Sequence, residues 1–122
     1  MNALRRLLSY LEEKNLSPIA IASAPARVDF LNTHQDYKGL PVVPVAINMR
    51  IFCAAVEVHD KKFIVESLDV SDGKCEFDIT DIVPKGKTYS DYLRACLLSL
   101  VMMTSTNIPR GYRVIFSSDI PI

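Results

Sequence analysis

The chain has 122 residues, 49% of them hydrophobic and 23% charged, which suits one soluble globular domain or part of one and excludes a disordered or fibrous polypeptide. Fourteen Lys and Arg balance fourteen Asp and Glu, so no net field draws the chain to nucleic acid or to an anionic membrane. Cys53, Cys75 and Cys96 have no metal-type spacing and read as reduced core thiols of a cytoplasmic protein, and the longest apolar stretch, 95–103, is too short to span a bilayer.

Leu4, Leu7, Leu8 and Leu11 recur at helical spacing and predict an amphipathic helix over 2–14, ended by Asn15 and Pro18. Residues 19–24 predict a short strand closed by Pro25. Residues 42–47 and 50–59 predict two more strands, parted near Asn48. Residues 62–67 predict a fourth, joined to its predecessor by a hairpin turn at Asp60-Lys61. A turn at Ser71-Asp72-Gly73 leads to a short strand over 75–79. After a loop at 84–87, Thr88 or Ser90 is expected to cap a helix over 91–104, with Asp91 at its positive end. The last strand is 112–117, where Val114 and Phe116 alternate against Arg113 and Ile115. This order is an α+β pattern. Residues 118–122 form a loop leaving a strand with an apolar residue last, and the chain is expected to be the front portion of something longer.

Residues 24–39 crowd an arginine, a histidine, two carboxylates and a tyrosine between apolar strands. Polar groups placed so usually mark a site, because burying them without partners is costly. His34 and Asp36 stand two apart, and an extended backbone would point both to one face. A carboxylate only accepts hydrogen bonds while an imidazole donates or accepts, so the pair suits neighbouring hydroxyls. Arg27 carries a permanent charge in a planar fork, suited to a developing phosphate charge or to a carboxylate. Gly39 permits a tight turn before the next strand. Plainer readings stand beside these: a structural His–Asp hydrogen bond, a salt bridge at Arg27, or a metal held by Asp29, His34 and Asp36, for which no fourth ligand or standard spacing is present.

The combination Ala24-Pro25-x-Arg27-Val28, His34-x-Asp36-Tyr37, Gly39 and Pro44-x-Ala46-Ile47 closely resembles the first motif of galactokinases, which belong to the GHMP group of small-molecule kinases. Asp91-Tyr92 at a helix start resembles the aromatic helix of that family, and 111–122 resembles the strand leading into its second motif. That motif, a glycine- and serine-rich phosphate loop, is expected right after Ile122. The resemblance implies a ribosomal-protein-like βαβ two-layer sandwich with helices on one face and a left-handed βαβ crossover. Residues 1–122 would be the N-terminal portion of the N-terminal domain, with the C-terminal domain absent from this chain.

The function so implied is an ATP-dependent sugar kinase, working with Mg²⁺, that phosphorylates the anomeric hydroxyl of galactose or a related sugar. The resemblance places Arg27 at the reacting centre and Thr33, His34 and Asp36 in the sugar-binding region. Tyr37 either packs or lines the site. The partners are a small sugar and ATP, with neither nucleic acid nor membrane. Residues 1–122 alone are expected to be inactive, lacking the phosphate loop and the aspartate that follows it. Four departures stand out: Ala26 for the usual Gly, Asp29 for Asn, Leu40 for the second of two glycines, and Asn32-Thr33 for Gly-Glu. In galactokinases that Glu approaches the exocyclic hydroxymethyl group of the sugar. Thr33 therefore implies a sugar altered there, such as a pentose, a uronic acid or another hexose. The alternative reading is a non-catalytic sugar-sensing or regulatory relative on the same scaffold.

Overall fold

A computed structural model describes residues 2–31, 34, 36–86 and 88–121. Its elements are α1 (Ala3–Glu13), β1 (Ala20–Leu31), a 3₁₀ turn (Asp36–Lys38), β2 (Val43–Glu57), β3 (Lys62–Ser67), β4 (Lys74–Asp78), α2 (Asp91–Thr104) and β5 (Tyr112–Ser118).

Asn2 starts α1, its side-chain oxygen accepting from the Arg5 amide at 2.9 Å. A second orphan donor, the Ala3 amide, is met by Asp119 Oδ1 at 2.8 Å from the far end of the chain. Asn15, at φ +54°, stops the helix. The buried stripe is Ala3, Leu7 and Leu11, flanked by Tyr10 and Leu16, whereas Leu8 is exposed. The helix is thus rotated slightly from the face that its leucines alone suggest, because Tyr10 is drawn to the sheet by Glu66.

The strands form one sheet in the order β1-β2-β5-β3-β4, antiparallel except for the β3–β5 pair. Three expectations change here. β1 does not stop at Pro25 but runs to Leu31, so the first half of the polar run is strand; an edge position tolerates the proline's missing N–H. The two runs about Asn48 are one strand of 15 residues, and the break survives as a register jump. Pro25 pairs with Arg50 and Arg27 with Ala46, leaving Ile47, Asn48 and Met49 opposite Ala26. Finally, Asp60-Lys61 is not a hairpin between paired strands, because β5 lies between β2 and β3.

Both sides of β5 are apolar, and the sheet is covered on both. Ala54, Val56 and Ile115 pack under Leu7 and Leu11 of α1. On the other face Phe63, Val65, Phe77 and Val114, with Cys53 and Phe116, pack under Leu93 and Leu97 of α2. The helices therefore lie on opposite faces rather than on one, as the alternation of Val114 and Phe116 against Ile115 requires once β5 is central. Arg113, on the α1 side, donates from Nη2 to Glu66 Oε2 (2.9 Å) and to the Tyr10 hydroxyl (3.0 Å), and Tyr10 donates to Glu66 Oε1 (2.5 Å). Cys53 and Cys75 are half-buried free thiols as expected, but Cys96 is exposed, because it lies off the Leu93–Leu97 stripe of α2.

The bounds of α2 match the expected ones, but its start is built differently. Ser90 already has helical φ and ψ, and its side chain makes no cap. Instead the Asp91 carboxylate reaches back to accept from the amides of Lys85 (2.9 Å) and Gly86 (2.7 Å), which a charged acceptor does better than a hydroxyl. Arg94, buried against the Phe77 ring at 4.3 Å, donates to Ser90 Oγ (3.1 Å) and Asp91 Oδ1 (3.3 Å) and takes the hydroxyl that would have capped.

Candidate functional site

β1 carries the first half of the polar run. Arg27 and Asp29 stand two apart on it, opposite Ala46 and Pro44. The Arg27 side chain is 64% exposed and that of Asp29 only 23%, with Arg27 Nη1 3.5 Å from Asp29 Oδ1. That oxygen is shut off from water and accepts no hydrogen bond among the described residues, so the guanidinium charge is what offsets its desolvation.

The second half lies in the connection to β2, and the backbone there is not extended. His34 sits at φ +69°, and Asp36 opens the 3₁₀ turn. The extended backbone expected of this segment is thus absent at His34. His34 is exposed. Tyr37 is 72% exposed, with Lys38 Nζ 5.8 Å from its ring centroid. Gly39 takes φ +73° with open space where a Cβ would stand, so the turn and not crowding calls for glycine. Thr33 lies outside the described residues, as do Asn32, Gln35 and the Asp36 side chain. Of the candidate residues, Arg27 is exposed on β1 and His34 and Tyr37 are exposed in its connection to β2.

Periodicity does not reveal the concave surface on the α2 side of the sheet. A cavity of about 540 Å³ is walled by Pro84, Gly86, Thr88, Tyr89, Asp91 and Tyr92. It shares Tyr89 and Tyr92 with a second hollow over Ile51, Val65 and Phe116. That one shares Ile51 and Phe116 with a third, bordered by Ala22, Ser23 and Ala24 of β1. Shared lining residues thus set the three hollows side by side as a groove beside α2 that reaches β1 at Ala22, Ser23 and Ala24. Its local signal is two tyrosines three apart at a helix start, behind Pro84-Lys85-Gly86.

The Asp91 carboxylate holds the loop side of the groove, and Tyr89 holds its floor by donating to the carbonyls of Val65 (3.1 Å) and Gly73. Burial, with Cys75 and the Glu66 charge nearby, pushes the Tyr89 phenol up to about 12, so it remains a neutral donor.

Residues 10–56, which hold the whole polar run, match the galactokinase galactose-binding signature. The galactokinase of Levilactobacillus brevis is 27% identical over 114 residues, 92% of this chain and 29% of its own length. Among solved structures, Lactococcus lactis galactokinase complexed with galactose superposes with a TM-score of 0.76 at 24% identity, over 97% of this chain and 31% of that one. The Methanococcus jannaschii mevalonate kinase gives 0.71 at 19%, over 87% and 34%. The fold is thus that of the GHMP kinases, a mixed α+β unit on a five-stranded sheet. In sequence the chain is similar to galactokinases, and it spans under a third of the length of the curated relative it matches.

Proposed function

We propose that the full-length protein is an ATP-dependent sugar kinase that phosphorylates an anomeric hydroxyl, with residues 1–122 supplying part of the sugar site at the front of an N-terminal domain. The observation that carries this reading is a coincidence of place. The segment matching the galactose-binding signature is also the one where Arg27, His34 and Tyr37 face solvent on one hairpin.

In this reading His34 and Asp36 hold sugar hydroxyls, and Thr33 stands where an acid would have met the exocyclic hydroxymethyl group. Arg27 presents positive charge to the phosphoryl group as it moves, in a reaction where positioning and electrostatics supply most of the rate. The groove beside α2 suits the nucleotide. Its first cavity has the size of a small-molecule site, and Tyr89 and Tyr92 give it aromatic walls for a planar base. Mg²⁺ would travel on the nucleotide phosphates. Among the described residues no cluster of three or more His, Cys, Asp or Glu could hold it, and Asp29 is already engaged by Arg27.

A coupled ADP-release assay of the full-length protein tests this against galactose, arabinose, galacturonate and fucose. Sugar-dependent ADP release is expected, with at least one sugar altered at the hydroxymethyl position preferred over galactose, and ³¹P NMR should show a sugar 1-phosphate. Release no greater than a sugar-free blank for every sugar would overturn the kinase and favour a sugar sensor. A strong preference for galactose would overturn the role given to Thr33.

A further inference from the structure

Asp29 is the departure from the galactokinase motif that adds a charge, and it lies among the described residues. It lies in a short regular ladder, Arg27 with Ala46, Val28 with Val45 and Asp29 with Pro44, bounded on both sides by register irregularities. Residues two apart on such a ladder share a face. The Nη1–Oδ1 separation of 3.5 Å is longer than an N–H···O hydrogen bond, so the contact is one of charge. The oxygen involved is buried and accepts no hydrogen bond among the described residues, whereas Arg27 keeps most of its side chain in solvent. The carboxylate therefore depends on the guanidinium, while the guanidinium remains open to a further anion.

We propose that Asp29 is a positioning residue acting through Arg27: it tethers the guanidinium over β1 and offsets part of its charge, which sets how strongly the site attracts an anionic phosphate donor. This rests on the kinase reading above. An asparagine in its place would leave the arginine a full uncompensated cation, whereas the acid makes the pair neutral. The consequence is a site tuned toward weaker donor binding and a fixed arginine.

The test uses the full-length protein, with ATP as the probe. Asp29→Asn keeps the side-chain shape and removes only the charge. It should tighten ATP binding, measured by calorimetry, by roughly 3–10-fold at low salt, with the gain shrinking as ionic strength rises and the sugar KM unchanged. Asp29→Ala removes the tether and should lower kcat roughly tenfold. In an Arg27→Ala background the Asn substitution should have no effect on ATP affinity, which a double-mutant cycle reads directly. Equal ATP affinity for wild type and Asp29→Asn at both salts, or an effect that persists without Arg27, overturns the proposal.

Thermal melts establish that each variant is folded, and the isosteric Asn variant keeps the test alive if the Ala variant is not. Arginine side-chain NMR separates this inference from the kinase reading. Slow rotation about the Arg27 guanidinium in the wild type, lost in Asp29→Asn, supports the tether even in a protein that binds no ATP. Identical rotation in both overturns it.

Discussion

At Glu66 a single side chain joins α1 to the sheet, and its ionisation makes the joint sensitive to pH. Partial burial alone would raise its pKa. The hydrogen bonds from Tyr10 and Arg113, with the Arg113 and Lys74 charges, outweigh that and hold the carboxyl below the usual range. A group depressed in the folded state contributes stability that is present above its unfolded pKa, near 4.3, and is lost as pH falls through the lower folded value. Glu66→Gln should therefore cost about 1.5–3 kcal/mol at neutral pH, the range for hydrogen bonds to a charged group. The gap to wild type should narrow at acid pH, as the Glu66 carboxylate is protonated on passing through its lowered folded value. Urea titrations at the two pH values measure it; a gap that stayed constant would remove the charge from the explanation.

The residues of this triad could be read in the sequence only as an alternation, since nothing local says that Tyr10, Glu66 and Arg113 meet. Arg27, His34 and Tyr37 were legible as a group because one short segment holds them. The left-handed turn at His34 was not, since spacing cannot report a left-handed φ.

At the scale of elements, the last strand fills the middle of the sheet. β5 enters beside the first residue of β3, and Gly111 makes the entry possible: a Cβ there would stand 1.8 Å from the Lys62 carbonyl oxygen. The Lys62 carbonyl carbon and amide nitrogen are close as well, and backbone atoms cannot step aside cheaply. Gly111→Ala should destabilise the fold by about 3 kcal/mol or more, at the upper end for overpacking. Gly86→Ala is the useful contrast. Gly86 sits at φ +77° with open space around the missing Cβ, so the cost is conformational, about 1–2 kcal/mol. Urea midpoints of the two variants should differ accordingly, and similar midpoints would mean that β5 does not press on β3.

The extents of β3, α2 and β5 were readable from alternation, turn residues and helical spacing. The partner of each strand was not. β2 and β3 show the same pattern whether they pair or leave a strand-wide gap, and only the apolar character of both faces of β5 hints that it belongs inside the sheet. The end of β1 was hidden for a related reason. Pro25 reads as a stop unless the strand is known to lie at an edge.

At the scale of the molecule, the interior is well covered around β3, β4 and β5 and thinly covered around β1. Phe30 is 71% exposed, and Val28, Leu31, Val43 and Val45 are exposed with it on paired positions of the β1–β2 hairpin. A strand edge lined by apolar side chains, with unpaired backbone donors and acceptors, is a template for another chain. Zero formal net charge provides no long-range repulsion to oppose contact. Residues 1–122 prepared alone should therefore associate with rising concentration in light scattering and bind a hydrophobic dye. Val28→Lys with Phe30→Lys should reduce both. Because these side chains are already in solvent, the change should leave the melting temperature within a degree or two, unlike any substitution in the α1 or α2 clusters. If the unmodified chain stays monomeric up to its solubility limit, the β1 edge is protected by its own twist and bulges rather than by something packed against it. If the lysines lower the melting temperature strongly, the hairpin contributes more to the core than its exposure indicates, and the placement of Arg27 on it is correspondingly more rigid.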